Sequence, residues 1–283
     1  MNEMADRCGF VVVYPEQREE DNPQRCWNWY LPEHQVRGSG EPAAIAGIVA
    51  QVLASHVAAR LDRNHVYVVG LSAGAAMATI MGVTYPDLFA GVGIHSGLSY
   101  GAARTLPGAL VSMRLGGPNP EERGRLAYAA MGEHARMVPV VVFHGDGDQT
   151  VSVKNGEQVV RQWLTANECA SSGSLVLDAE RPDAVQDGFS PGGLRYDART
   201  WNDRFGEPLV QYWLVAGLGH AWSGGSPVGS YTDPAGPDAT ALMWGFLREH
   251  RLVSEAVGRL VPLNALRHAL IRVRRRNSMR QSR

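Results

Sequence analysis

The stretch that decides the fold is Val66-Tyr-Val-Val-Gly70-Leu-Ser72-Ala-Gly74-Ala-Ala-Met-Ala78. It begins as a β-branched apolar run typical of a buried strand and ends as a run of small, helix-favouring residues. Between them lies Gly-x-Ser-x-Gly, the pattern of a sharp strand-to-helix turn that holds its central serine exposed and strained. We expect Gly70 and Gly74 to leave no room for a Cβ in so tight a turn. The stretch predicts Ser72 as a nucleophile, and a Gly/Ser-rich turn in an ordinary βα unit is the alternative.

The composition is that of a globular protein and does not indicate a membrane-spanning or nucleic-acid-binding protein. The chain has 283 residues, of which 45% are hydrophobic and 19% charged, enough for one large α/β domain. The net charge of −1 gives no general attraction to nucleic acid. The sequence contains no run of about 18 apolar residues, the length that is needed to span a bilayer. The N-terminus lacks the profile of a secretory signal.

Two features of the chain bear on its organisation. Residues 267–283 carry several arginines and no acid, a pattern typical of a solvated terminus and less often of a nucleic-acid contact. We therefore expect one catalytic domain over residues 1–250 and a basic, helical tail over 251–283. Cys8, Cys26 and Cys169 lack both the even number of a disulfide framework and the spacing of a zinc site, which leaves one possible disulfide pair or none.

The apolar pattern alternates short strands with helices, which predicts a mostly parallel central sheet with helices on both faces. Residues 1–7 resemble the end of a helix, and residues 97–124 resemble connecting structure. Strands are expected at 10–14, 66–70, 89–95, 138–143, 194–201 and 208–215, and helices at 41–61, 72–85, 155–167 and 239–249, the last with Asp238 as its N-cap.

A serine hydroxyl needs a base to remove its proton, and that base needs an acid to fix its tautomer. In the α/β-hydrolase fold they follow in the order Ser, acid, His, each after a strand. Asp148 follows the strand at 138–143, and His220 follows the strand at 208–215. Because parallel strands end at one edge of a sheet, we expect Ser72, Asp148 and His220 to meet there.

Other residues compete for these roles. Asp146 lies as near to the strand end as Asp148, but a His-Gly-x-x-Asp-x-x-Val arrangement usually directs the second acid into the site, and Asp146 would then order the turn. His95 and His144 also follow strands, and either could be a buried structural histidine. The glycine-rich loop around His220 favours His220 as the base.

Two further elements of a site are expected. The backbone N–H of Ala73, at the start of the helix after Ser72, would donate to the oxyanion. Trp27 and Trp29 lie in a polar loop, where they either cover the core or line an apolar substrate groove.

Several motifs together resemble the poly(3-hydroxybutyrate) depolymerase family of esterases, which is related to the feruloyl and acetylxylan esterases. The resemblance runs from about Met1 to His250, and its motifs are Arg25-Cys-Trp-Asn-Trp29, Gly70-Leu-Ser-Ala-Gly74, His144-Gly-x-x-Asp148, Gly219-His-Ala-Trp-Ser-Gly-Gly225 and Tyr231-Thr-Asp-Pro-x-Gly-Pro-Asp238.

The resemblance implies an α/β-hydrolase fold and a serine carboxylic-ester hydrolase that needs neither metal nor cofactor. Its substrate would be poly- or oligo-(3-hydroxybutyrate) or a short-chain ester, cleaved through an acyl-enzyme. Ser72 would be the nucleophile, Asp148 the orienting acid and His220 the base. Trp27, Trp29 and Trp222 would form the apolar binding surface. The partner would be an ester substrate, with no nucleic acid and no membrane span, and the location would be extracellular, with the cytoplasm as the alternative.

The chain departs from the family pattern at its start, where the His-Gly-Cys-type strand end that supplies a second oxyanion donor is missing. We therefore expect an N-terminally truncated hydrolase; if family members pair that cysteine with the one corresponding to Cys26, Cys26 lacks its partner here. Three alternatives remain: a feruloyl or acetylxylan esterase with the same machinery, a catalytically impaired hydrolase-fold fragment, and a nucleic-acid binder that would rest on the terminal arginines alone.

Overall fold

The computed structural model describes residues 1–55 and 61–252. Seven α-helices are found in this part: α1 (Asn2–Cys8), α2 (Gly40–Ala54), α3 (Ala73–Thr84), α4 (Leu106–Leu115), α5 (Pro120–Met131), α6 (Lys154–Ala170) and α7 (Ala239–Leu247). Its strands are β1 (Tyr67–Leu71), β2 (Gly91–His95), β3 (Val140–Gly145), β4 (Ala184–Phe189), β5 (Arg195–Asn202), β6 (Pro208–Val215), β7 (Trp222–Ser223) and β8 (Thr232–Asp233).

The central sheet has six strands in the order β1-β2-β3-β6-β5-β4. The strands β1, β2, β3 and β6 run parallel to one another, while β5 is antiparallel to both β6 and β4. The two-residue strands β7 and β8 pair separately. The expected mostly parallel sheet is confirmed, and its parallel strands are the ones that precede the candidate site residues.

Helices cover both faces of the sheet, and β3 shows how the sequence achieves this. Val140 and Val142 belong to the larger core, which also contains side chains of α3 and α6. Val141 and Phe143 point to the opposite face, where they pack with α7. Because successive side chains of a strand alternate between faces, a continuous apolar run such as β3 serves two cores at once.

The expected strand at residues 10–14 is wrong. This segment has no strand structure, and Val11, Val13 and Tyr14 are 50%, 38% and 65% exposed. A strand needs a hydrogen-bonding neighbour, and in the described residues β1, at one edge of the sheet, pairs with β2 alone. A β-branched apolar run without a neighbouring strand remains irregular.

The expectation of connecting structure over 97–124 is also wrong, because this segment contains α4 and the start of α5. Their N-termini carry recognisable caps: Thr105 Oγ1 accepts the N–H of Gly108 at 3.2 Å, and Asn119 Oδ1 accepts that of Glu122 at 2.8 Å. The Gly and Pro residues that favoured a loop lie before α4, between the two helices or in their first turns, apart from Gly124, which lies within α5. The edge strand β4 was missed because it is mostly exposed and has no apolar alternation.

The remaining elements match their predictions closely. α1 ends where the sequence indicates, and Asp238 caps α7 by accepting the N–H of Ala241 at 3.0 Å. α2 ends at Ala54, and residues 56–60 of the predicted helix lie outside the described residues. The basic tail also falls there, since the description ends at residue 252, so the division at residue 250 stays a prediction. Where the chain is described, its three cysteines are free, and no helix is long and apolar enough to cross a bilayer.

Candidate active site

The turn between β1 and α3 has the geometry expected of a nucleophile-bearing turn. Ser72 is a non-glycine residue with φ 57° and ψ −121°, a conformation that costs on the order of 1–3 kcal/mol and persists only where surrounding contacts impose it. Those contacts are present: the Ser72 N–H donates to the His95 carbonyl at 2.9 Å, and the Ser72 carbonyl accepts the N–H of Ala75 and Ala76 at 3.0 Å.

The two glycines of this turn differ in the space that a Cβ would have. A Cβ on Gly70 would lie 2.2 Å from the carbonyl carbon and oxygen of Gly74, so no other residue fits at Gly70. A Cβ on Gly74 would meet no atom within 4 Å, and the expectation that Gly74 also excludes a side chain is wrong. The backbone of Gly74 fills the space beside Gly70, while its own Cβ direction is open.

Asp148 and His220 form a hydrogen-bonded pair. Nδ1 of His220 lies 2.7 Å from Oδ2 of Asp148, and Oδ1 of Asp148 accepts the N–H groups of Thr150 and Val151 at 2.9 and 2.8 Å. Burial alone would raise the pKa of Asp148, but the hydrogen bonds from His220, Val151 and Thr150 outweigh it, and the pKa lies below its ordinary value. A charged Asp148 keeps the proton on Nδ1 of His220 and leaves Nε2 as a proton acceptor.

Ser72 lies at the same edge of the sheet as this pair. It follows β1, Asp148 follows β3 and His220 follows β6, and these strands are parallel members of one sheet. Within the described residues no hydrogen bond joins the Ser72 hydroxyl to His220.

The competing residues have other partners. Asp146 is exposed, and its Oδ1 accepts the N–H of Gly217 at 2.6 Å, so it orders the loop that carries His220. His144 is buried, donates from Nε2 to the Val151 carbonyl at 2.8 Å and has a pKa lowered by burial. His95 is fully buried, and burial lowers its pKa to about 3.

The first backbone N–H groups of α3 lie next to Ser72. Among the described residues, the N–H groups of Ala73 and Gly74 make no hydrogen bond, as expected for the first residues of a helix. Both lie directly after Ser72, and the role of the Ala73 N–H as an oxyanion donor stays a prediction.

The aromatic residues divide into different environments. Trp29 is 5% exposed and lies in the larger core, and this burial does not fit its predicted place on a substrate surface. Trp27 is partly buried against the same core. Trp222 is also partly buried; its ring stacks on His95, and its Nε1 donates to Thr240 Oγ1 at 3.0 Å. Trp27 and Trp222 therefore keep surface that a substrate could contact.

A buried carboxylate that sequence reasoning missed fixes the loop with Trp27 and Trp29. Both oxygens of Glu41 accept from Asn28, one from its backbone N–H and the other from its side-chain amide, each at 2.8 Å. Gln17 Nε2 donates to the same carboxylate at 2.5 Å. The only sequence signal for this network is an acid at the start of an otherwise apolar helix.

A polar cavity of about 290 Å³ opens beside the turn after β3. Its walls include no aromatic side chain; they are formed by Arg114, Asp146, Asp148, Gln149, Ser152 and Val153. In the described part of the chain, no group of three or more His, Cys, Asp or Glu residues is placed to hold a metal ion.

Known proteins that are similar to this chain include several esterases. The profile of the family described as "Esterase PHB depolymerase" matches residues 1–186. The chain is 34% identical over 221 residues to poly(3-hydroxyalkanoate) depolymerase C of Paucimonas lemoignei, covering 77% of this chain and 48% of that protein. It is 30% identical over 223 residues to feruloyl esterase B of Neurospora crassa, covering 76% of this chain and 69% of the relative.

A probable acetylxylan esterase A of Aspergillus flavus is 27% identical over 226 residues, covering 77% of this chain and 67% of the relative. Among solved structures, an acetyl xylan esterase from Aspergillus awamori superimposes with a TM-score of 0.60 at 23% identity, covering 77% of this chain and 75% of that one. The expected α/β-hydrolase fold is thereby confirmed. The chain spans about half the length of the Paucimonas relative.

Proposed function

The chain belongs to the esterase PHB depolymerase family, and we propose that it is a serine carboxylic-ester hydrolase acting through an acyl-enzyme. Its proposed substrates are poly- or oligo-(3-hydroxybutyrate) and other short-chain esters. Ser72 is the proposed nucleophile, His220 the base and Asp148 the acid that orients it.

The observation that carries the proposal is the 2.7 Å hydrogen bond between His220 Nδ1 and Asp148 Oδ2. A histidine held in this way presents an unprotonated Nε2, the atom that a serine nucleophile needs as its base. In the described part of the chain Nε2 has no hydrogen-bond partner, so it remains available for the Ser72 proton.

The reaction follows from these positions. His220 Nε2 takes the proton of the Ser72 hydroxyl while Ser72 Oγ attacks the ester carbonyl carbon. The resulting oxyanion accepts a hydrogen bond from the backbone N–H of Ala73. The intermediate expels the alcohol, which takes the proton from His220, and leaves an acyl group on Ser72. Water then attacks the acyl group with His220 again as base, which releases the carboxylic acid and restores the hydroxyl.

The substrate class rests on the family and on the relatives' names. A depolymerase of poly(3-hydroxyalkanoate) is the relative named first, and Trp27 and Trp222 supply aromatic surface for an apolar acyl chain. A feruloyl or acetylxylan esterase is the second candidate, because relatives with those names match a similar share of the chain and would use the same machinery. An extracellular location stays a prediction.

The test compares the wild-type chain with Ser72→Ala and with the exposed-site control Ser174→Ala. We expect wild type and the control to hydrolyse p-nitrophenyl butyrate and to be labelled covalently by a fluorophosphonate, and Ser72→Ala to lose both properties. Labelling or turnover that survives in Ser72→Ala would refute the assignment. A wild-type chain without turnover would favour the impaired-hydrolase alternative.

A parallel panel separates the substrate candidates. The wild-type chain is assayed on a 3-hydroxybutyrate trimer, methyl ferulate and acetylated xylan at equal ester concentration. We expect the highest kcat/KM on the trimer. A preference of tenfold or more for either of the other esters would reassign the substrate class and leave the serine mechanism in place.

A further inference from the structure

An aromatic ladder crosses one face of the sheet and ends at the loop that carries His220. It consists of five rings, each stacked or tilted against the next, with centroid separations of 5.2 to 5.8 Å. In order, the rings belong to Trp222, His95, Phe143, Trp213 and Tyr196.

Strand register builds the ladder. His95 of β2 lies opposite Phe143 of β3, and Phe143 lies opposite Trp213 of β6. Residues paired in this way point to the same face and bring their rings together. Trp222 completes the ladder from outside the main sheet, because it belongs to β7. It lies two residues after His220.

The His95 ring also makes a hydrogen bond to the segment that follows His220. Its Nε2 accepts the N–H of Ser223 at 3.1 Å, and its Nδ1 lies 3.2 Å from Ser96 Oγ. Ser223 is fully buried, so its N–H needs a protein acceptor. Phenylalanine at position 95 would preserve the stack but leave that N–H without a partner.

The backbone of His95 contacts the other side of the site. Its carbonyl accepts the N–H of Ser72 at 2.9 Å and so helps to impose the strained conformation of the nucleophile. One residue therefore contacts both the turn with the proposed nucleophile and the loop with the proposed base.

We propose that His95 is a positioning residue for the proposed ester hydrolysis. Through the stack on Trp222 and the bond to Ser223, its side chain sets where His220 lies relative to Ser72. This inference rests on the proposed function. The competing view is that His95 is a buried core residue whose loss affects stability alone.

Two variants test the hydrogen-bond acceptor and the aromatic ring of His95 separately. His95→Phe keeps a ring on Trp222 and removes the acceptor, whereas His95→Gln places an amide oxygen near the position of Nε2 and removes the ring. A displacement of about 1 Å in a catalytic group lowers rates by up to about 100-fold. We therefore expect kcat on p-nitrophenyl butyrate to fall on the order of 100-fold in His95→Phe and about tenfold in His95→Gln, with KM changed less than threefold.

The matched control is Trp213→Phe, which alters the same ladder two rings away from the loop. We expect its kcat to stay within twofold of wild type. A kcat within twofold of wild type in His95→Phe, or an equal loss in Trp213→Phe, would overturn the proposal. If His95→Phe does not fold, His95→Gln decides alone, and a kcat within twofold of wild type would overturn it.

A double-mutant cycle tests whether His95 acts through His220. In a His220→Ala background, His95→Phe should leave the residual rate unchanged, because the base that it positions is already gone. A further loss of tenfold or more in that background would show that His95 acts by another route.

A spectroscopic readout separates failure of this proposal from failure of the proposed function. The Nδ1 proton shared by His220 and Asp148 should give a downfield ¹H resonance, assigned by its absence in His220→Ala. We expect it to shift or broaden in folded His95→Phe and to be unchanged in Trp213→Phe. An unchanged resonance in His95→Phe would overturn the positioning role, even if the wild-type chain hydrolyses no ester.

Discussion

Asp148 holds His220 with one carboxylate oxygen while backbone N–H groups hold the other. Oδ2 lies 2.7 Å from Nδ1 of His220, and Oδ1 accepts from Thr150 and Val151. Because both oxygens are engaged, the carboxylate cannot rotate without breaking hydrogen bonds. The direction of the imidazole is therefore set by the turn after β3, 72 residues away along the chain.

Replacing Asp148 by Asn should reduce kcat on the order of 10⁴-fold, since an amide facing Nδ1 favours the wrong imidazole tautomer. Steady-state kinetics on p-nitrophenyl butyrate measures the loss. Asp146→Asn is the control, because Asp146 bonds the backbone of Gly217 and not His220; its kcat should stay within about threefold. Equal losses in the two variants would contradict the assignment of the acid.

The strain at Ser72 predicts opposite effects of glycine and alanine on stability. Glycine adopts a positive φ freely, whereas alanine keeps the Cβ that makes φ 57° unfavourable. Allowing for the larger entropy of an unfolded chain with glycine, Ser72→Gly should be more stable than Ser72→Ala by about 1 kcal/mol. Urea unfolding of both inactive proteins measures the difference. Equal midpoints at equal m-values would indicate that no strain is relieved.

The two glycines of the turn predict a matched pair of outcomes. Gly70→Ala places a Cβ against the Gly74 carbonyl and should give a protein that is insoluble or destabilised by more than about 3 kcal/mol. Gly74→Ala meets open space in the first turn of α3 and should retain the fold with stability within about 1 kcal/mol of wild type. Expression yield and thermal unfolding decide between them. A stable, soluble Gly70→Ala would refute the close approach.

Buried histidines predict loss of stability in mild acid. Burial lowers the pKa of His95 to about 3 and that of His250 to about 4, from an ordinary value of 6.5. Between the lowered pKa of each histidine and its ordinary value of 6.5, the unfolded chain binds protons that the native protein does not. The free energy of unfolding therefore falls as the pH falls below 6.5. Each such histidine contributes up to about 1.4 kcal/mol per pH unit in that window.

Urea titrations at pH 7, 6 and 5 measure this dependence. The lowered pKa of Asp148 adds nothing here, because its stabilising effect is lost only below its ordinary value of 3.8. His95→Gln removes one of the histidines and should have a shallower pH dependence than wild type. A flat wild-type profile, or a slope unaffected by His95→Gln, would contradict the assignment of a buried neutral imidazole.

Much of the candidate site could be predicted because its signals are local in sequence. Strand ends mark where Ser72, Asp148 and His220 lie, and parallel strands bring their ends to one edge. The choice between Asp146 and Asp148 rested on a motif, and the hydrogen bond to His220 agrees with it. The prediction that Gly74 has no room for a Cβ was wrong. The room at each glycine depends on how the backbones of Gly70 and Gly74 cross, and here the Gly74 backbone fills the space beside Gly70.

Other features depend on pairing between distant segments. The apolar run at 10–14 has the composition of a strand, but composition does not state whether a neighbour is present to pair with it. The ladder through His95 requires the register of three strands, and no local pattern distinguishes His95 from an ordinary core histidine. The burial of Trp29 likewise follows from Glu41 and the core around it, not from the loop sequence.

The strand order also has a consequence for the stage of folding at which the proposed nucleophile forms. Pairing of β1, β2, β3 and β6 joins segments far apart in sequence, and such parallel pairing is slow because loops must close before contacts form. Ser72 acquires its strained backbone only when β2 lies beside β1, and His220 meets Asp148 only when β6 lies beside β3. If Ser72 has the proposed role, a newly made chain carries an ordinary serine until these four parallel strands have paired, so the proposed reactivity appears late in folding.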